Sequence, residues 1–174
     1  WRMAISHLQA AFDDFPNISR LPVGRYVDSR QITVTRQMAQ KGVNSPRTSS
    51  LGRLFDAVAA IAGLRGRVAF EGQAAMQLEA IADDNETGTY DFMWDEAAGG
   101  AIVIPAAPMV RAVVEDLGAG RSPAVISARF HNTLVTLFDT LCRQLRDRTG
   151  IDRVALSGGV FQNDRLLAGL STAL

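Results

Sequence analysis

The chain has 174 residues, 47% of them apolar, and its 18 basic and 18 acidic side chains leave no net charge. That length suffices for one compact domain or one large lobe with its own core, and the balanced charge excludes the basic footprint of a nucleic-acid binder. A lone cysteine, Cys142, excludes an internal disulfide or a cysteine-rich zinc site, and the two histidines, His7 and His131, do not stand at metal-ligand spacing.

Residues 1–13 place Trp1, Ile5, Leu8 and Phe12 at helical spacing. A loop with Pro16 and Pro22 follows, then a helix over 29–41 that Gly42 ends. Residues 43–50 read as loop, with Ser49 or Ser50 able to cap a helix over 51–62. Leu51, Leu54, Phe55, Val58, Ile61 and Ala62 form one apolar stripe along that helix, and Gly63 stops it. After a short extended piece at 67–70, residues 71–84 form a helix whose buried side is Ala75, Leu78, Ile81 and Ala82. Tyr90, Phe92 and Trp94 alternate with Asp91 and Met93, which predicts a strand over 89–94. Gly99-Gly100 then turns the chain into a second strand at 101–104. A helix over 108–117 is closed by Gly118 and Gly120.

The longest element spans 122–148. Its apolar residues, from Ile126 and Phe130 to Cys142 and Leu145, cover about half the circumference at roughly 100° per residue, the mark of a largely buried helix. Residues 153–157 then read as a strand, Gly158-Gly159 as a turn, and 164 onward as a final helix. The sum is helix-rich α/β or α+β, and its closing order of helix, strand, paired glycines and helix is typical of α/β folds that bind phosphates. Trp1 at the start and a helical pattern still running at Leu174 read as a segment of a longer protein. With no signal-like or long apolar run, the expected compartment is the cytoplasm.

Three stretches can carry chemistry. Gly158 and Gly159, after a strand, let the backbone turn sharply, and their N–H groups with the following helix N-terminus can face an anion; Asn163 adds an amide. The plainer account is a tight turn with Asn163 as helix N-cap. Asp56 stands off its helix's apolar stripe, beside Gly52, Ala59, Ala60 and Gly63. A carboxylate among small residues can accept from two ribose hydroxyls, or it can be a solvated acid paired with Arg53 at i−3. Glu71-Gly72, before a run of small residues, permits close approach of a ligand; Glu71 is a general acid/base, a metal partner, or a first-turn acid favoured by the helix dipole. His131, placed on the polar edge of the long helix, and the solitary His7 read as structural. Cys142, on the buried arc, reads as a small hydrophobe.

The phrases NSPRTSSLGRLFDAVAAIAGL (44–64), FEGQAAMQLEAIA (70–82), ARFHNTL (128–134) and VALSGGVFQN (154–163), with WRMAISHL at the start, span nearly the whole chain in order. Together they resemble the carbamoyltransferases of nickel–iron hydrogenase maturation, the HypF type. The resemblance implies an α/β fold of the actin/Hsp70/sugar-kinase-like (ribonuclease H-like) kind. Residues 1–121 would be its helix-rich part and 122–174 the start of the nucleotide-binding lobe. It implies transfer of a carbamoyl group from carbamoyl-adenylate, made from carbamoyl phosphate and ATP, to the C-terminal cysteine of a HypE-type partner, where it becomes the hydrogenase's cyanide ligand. Asp56 matches the aspartate that holds ribose, Gly72 a glycine lining the nucleoside, and Gly158, Gly159 and Asn163 the loop on the nucleotide. A divalent metal (magnesium, zinc or iron) is implied with ligands outside these residues. Arg47 and Asp164 depart from the family's pattern. Two other readings share the motifs: an O-carbamoyltransferase of natural-product tailoring, and a non-catalytic nucleotide-binding lobe.

Overall fold

The computed structural model describes residues 1–174. Seven helices follow in order: α1 (Arg2–Ala11), α2 (Ser29–Lys41), α3 (Leu51–Ile61), α4 (Gln73–Ala80), α5 (Ala107–Gly118), α6 (Pro123–Thr149) and α7 (Asp164–Ala173). Short 3-10 turns lie at Ile18–Arg20, Pro22–Tyr26 and Gly159–Gln162. The expected helix ends hold where a cap supplies the reason. Asp28 Oδ1 accepts from the Gln31 N–H at 2.7 Å and Gln31 Oε1 from the Asp28 N–H at 3.1 Å, while Gly42 closes α2 in the left-handed conformation at φ 67°. Ser122 caps α6 through the Val125 N–H, and Pro123 occupies its first position.

One core joins α1, α3, α4, α5, α6 and α7. α3 runs through its middle, with Phe55, Val58, Ala59, Ala60 and Ile61 buried between α1 and α4. Phe55 meets Phe130 of α6 edge to face, centroids 5.0 Å apart, a geometry worth about 1 kcal/mol beyond area burial. α7 lies on α6 at close range, because a Cβ at Gly169 would stand 2.7 Å from Val135 Cγ2.

The sheet is smaller than the sequence predicts: a two-residue ribbon in which β1 (Asp95–Glu96) pairs antiparallel with β2 (Ile102–Val103). Residues 89–94 are not a strand. α6 straps this segment down instead: Thr133 Oγ1 accepts from the Tyr90 N–H at 2.7 Å, and Asn132 Nδ2 donates to the carbonyls of Glu86 and Gly88. The alternation of Tyr90, Phe92 and Trp94 thus records an extended segment lying over a helix. Tyr90 is buried and its hydroxyl donates to Asp116, which Arg129 also grips at 3.0 Å while reaching Glu86 at 3.2 Å. Burial, then the bond to Asp116, pushes the Tyr90 phenol well above its usual range.

Residues 153–157 form no strand and pair with no neighbour, and Ile151 and Val154 stay exposed. The chain is therefore helical with one small ribbon, and no parallel sheet forms within it. No helix is long and apolar enough to cross a membrane.

Candidate functional site

A cleft of about 710 Å³ opens between the start of α3, the N-terminal side of α4 and the turn that leads into α7. Asp56, Gly72, Gly158, Gly159 and Asn163, separated by up to 107 positions (163 − 56), all line it. The stripe of α3 that buries Leu54, Phe55 and Val58 leaves Asp56 at the rim, with Phe55 as part of the floor. Asp56 Oδ2 pairs with Arg53 at 3.2 Å, and its side chain keeps 22% of its surface. The plain i−3 pairing and the cleft-lining position therefore coexist. An ion pair so exposed contributes less than about 1 kcal/mol, and Asp56 Oδ1 accepts nothing from the chain.

The small-residue face of α3 is not a ligand platform along its length. Gly52 lines the cleft, but Ala59 and Ala60 are buried in the core. A Cβ at Gly63 would collide with Pro22. Most of these small residues are there for helix packing.

Gly72 takes the left-handed conformation (φ 81°) as the residue before α4, which starts two residues later than expected. Glu71 consequently lies outside the helix, exposed in the cleft, and is not a first-turn acid. Gly158 adopts φ 93°, ψ 165°, a region open essentially to glycine alone. Gly159 has an ordinary φ, and a Cβ on it would meet nothing within 4 Å. The N–H groups of both glycines have no acceptor in the chain, and both residues lie in an exposed turn.

The N-terminus of α7 is not free for an anion. Glu79 Oε1 accepts from the Arg165 N–H at 2.9 Å, and Asn163 Oδ1 accepts from the Leu166 N–H at 2.8 Å. Asn163 is thus the N-cap that its plainer reading requires, and it also faces the cleft. Its Nδ2 lies 3.0 Å from His131 Nε2.

His131 is a correction. It is fully buried, not at a polar edge, and its Nδ1 lies 2.8 Å from the Ser127 carbonyl oxygen. Phe55 and Phe130 meet its ring edge-on. Burial lowers its pKa to about 4, with the Arg165 charge adding to the effect and the Ser127 bond opposing it. The signal was available: at roughly 100° per residue, His131 falls between Phe138 and Cys142 on the α6 wheel.

Three acids, Asp56, Glu71 and Glu79, and one cation, Arg53, line the cleft. The acids do not converge, and nowhere do three His, Cys, Asp or Glu side chains stand together as a metal would need. The cleft instead offers acceptors on one wall and free backbone donors on the other, which suits a ligand with hydroxyls at one end and an anion at the other.

Residues 1–174 match, end to end, the family model described as the second subdomain of the Kae1-like domain of a carbamoyltransferase, HypF_C_2. The chain belongs to the HypF carbamoyltransferase family. It is 41% identical over 140 residues to the carbamoyltransferase HypF of Synechocystis sp., covering 80% of this chain and 17% of that one. To HypF of Rhodobacter capsulatus it is 39% identical over 167 residues, 95% of this chain and 20% of that one. A crystal structure of full-length HypF in a phosphate- and nucleotide-bound form superposes with a TM-score of 0.85 at 36% identity, over 98% of this chain and 22% of that one. The chain thus spans about a fifth of the HypF proteins it matches.

Proposed function

We propose that the cleft is the adenosine-nucleotide site of a cytoplasmic carbamoyltransferase in hydrogenase maturation. The observation that carries the reading is the meeting of Asp56, Gly72, Gly158, Gly159 and Asn163 around one cleft. Membership of the HypF family, and a HypF relative solved with nucleotide and phosphate, support it. In this reading residues 1–121 are the helix-rich part of an actin/Hsp70/sugar-kinase-like domain. Residues 122–174 begin its nucleotide-binding lobe, and the unpaired run 153–157 is a strand of that lobe's sheet.

Asp56 accepts from the ribose hydroxyls, releasing Arg53. Gly72 lets the nucleoside lie against the backbone before α4. The unpaired N–H groups of Gly158 and Gly159 face the phosphate, and Asn163 donates from beside them. Three acids against one arginine leave the cleft poor in positive charge. Neutralising a phosphate therefore falls to the backbone amides here and to cations supplied from outside these residues. The divalent metal that the resemblance implies would take its ligands outside these residues.

The reaction is attack by the thiolate of a HypE-type partner's C-terminal cysteine on the carbamoyl carbon of carbamoyl-adenylate. A carbon–sulfur bond forms as the carbon–oxygen bond to the phosphate breaks, and AMP leaves with the electron pair. The cleft's part is orientation and stabilisation of the leaving phosphate.

The test is a titration of the intact protein with ATP, before and after Asp56→Ala. Loss of hydrogen bonds to a charged acceptor weakens binding roughly 10- to 100-fold. An unchanged affinity together with unchanged carbamoyl transfer would remove Asp56 from the site.

A further inference from the structure

The buried His131 bears on how the cleft presents its one amide side chain. We propose that His131 is a positioning residue for the nucleotide site: with its proton on Nδ1 and its Nε2 bare, it fixes which way the Asn163 amide faces the cleft. The inference rests on the nucleotide reading above.

Two separate sets of contacts fix the proton on the His131 ring. At the cleft end, the Leu166 N–H is a donor, so the amide atom 2.8 Å from it is the Asn163 oxygen. The other amide atom, 3.0 Å from His131 Nε2, is then the NH₂ group, which donates only. Nε2 must therefore carry a lone pair. At the far end, the Ser127 carbonyl oxygen 2.8 Å from Nδ1 accepts only, so Nδ1 carries the hydrogen. Both ends require the same neutral tautomer, and neither depends on the other.

Ser127 is held in turn: it is fully buried and its hydroxyl donates to the Leu78 carbonyl near the C-terminal end of α4. The chain of bonds thus runs from α4, through α6, to the first turn of α7. Phe55 and Phe130 pack edge-on against the ring, with centroids 5.3 and 6.0 Å away. The consequence for Asn163 is specific. Its oxygen spends one lone pair on α7 and its nitrogen one hydrogen on His131, leaving one acceptor site and one N–H for the cleft. Without the His131 acceptor, the cap bond alone holds the amide plane, and rotation is restrained at one end only.

A side chain that merely fills space predicts a different result from one that accepts a hydrogen bond. The intact protein is titrated with the non-hydrolysable ATP analogue AMP-PNP and magnesium for wild type, His131→Phe, His131→Gln, Asn163→Ala, Asp56→Ala and the double variant His131→Phe/Asn163→Ala. The proposal expects His131→Phe and Asn163→Ala each to weaken binding about tenfold, the double variant to add little to either, and His131→Gln, which restores an acceptor near Nε2, to recover to within about threefold of wild type. Selective ¹⁵N-histidine labelling is expected to show Nδ1 protonated and Nε2 bare in the wild type.

Unchanged affinity in His131→Phe with weakened binding in Asn163→Ala overturns the positioning role and leaves the nucleotide reading standing. Additive losses in the double variant, or a proton on Nε2, overturn it as well. Unchanged affinity in both Asp56→Ala and Asn163→Ala overturns the nucleotide reading itself, and this inference with it. Should His131→Phe not fold, His131→Gln and the labelling decide: loss of binding in His131→Gln despite a native thermal transition counts against the proposal.

Discussion

The two halves of α6 carry the same apolar periodicity and meet different fates. From Ile126 to Leu137 the helix is packed on α4 and α7, and even its polar residues Ser127, His131 and Thr133 are buried with partners. From Phe138 onward the apolar side opens out: Cys142 is half-buried, Leu145 is exposed, and Arg143 reaches the α7 end by a single bond to the Ala173 carbonyl. The difference teaches what a helical stripe says. It marks the side that avoids water, and the presence of a neighbouring element decides whether that side is covered.

Truncating a side chain in each half sharpens this contrast most. Phe130→Ala should cost about 3–5 kcal/mol, because Phe130 is fully buried against Phe55 and leaves a cavity. Hydrogen exchange at the α6 amides of the intact protein reads the effect. A cost below about 1 kcal/mol would mean that the buried half is no better packed than the open one.

Acid should act next, and on the same half. His131 titrates near 6.5 when unfolded and near 4 when folded, so the unfolded chain binds more protons between these values. The stabilisation is complete above about pH 6.5 and is lost as pH falls toward 4, for a total of about 3 kcal/mol at ~1.4 kcal/mol per pH unit. The charge acting on His131 is Arg165, which adds to the depression, while the Ser127 bond opposes it. His131→Gln should remove this part of the acid slope. If wild type and variant lose α6 protection in parallel between pH 6.5 and 4, the histidine is not buried neutral.

Asn163→Ala should cost roughly 1 kcal/mol of α7 stability through the lost cap. The change should appear at the first-turn amides of α7 and not in the open half of α6. Smallest of all, Leu145→Ala should stay within about 0.5 kcal/mol, since its side chain is already 37% exposed. A larger loss there would show that the open half is covered after all.

Much of this was legible in the sequence where local chemistry decides. The helix over 29–41 with Gly42 as its stop and the long helix over 122–148 were placed to within a residue or so, and the caps at Asp28, Ser122 and Gly150 supply the reason. Local pattern alone left Asp56, Gly158, Gly159 and Asn163 with plainer accounts, and it is the resemblance to the HypF type that named these and Gly72 together as one site. The misses are non-local. The segment 89–94 alternates like a strand but is held at Tyr90 by Thr133, with Asn132 bonding Glu86 and Gly88 just before it, some forty residues away. The α7 N-terminus looked open because nothing near it in sequence announces Glu79 as its partner. Small residues at 59, 60 and 63 looked like room for a ligand and are instead room for other helices.

The run 153–157 has a practical consequence. Its backbone amides and carbonyls make no backbone hydrogen bond, Val154 within it is 49% exposed and Ile151 just before it 64%, and such a stretch is adhesive toward any other chain that can lie alongside. Prepared without the rest of a HypF protein, these 174 residues should self-associate as concentration rises. A lysine at position 154, made as Val154→Lys, should keep them dispersed in light-scattering measurements.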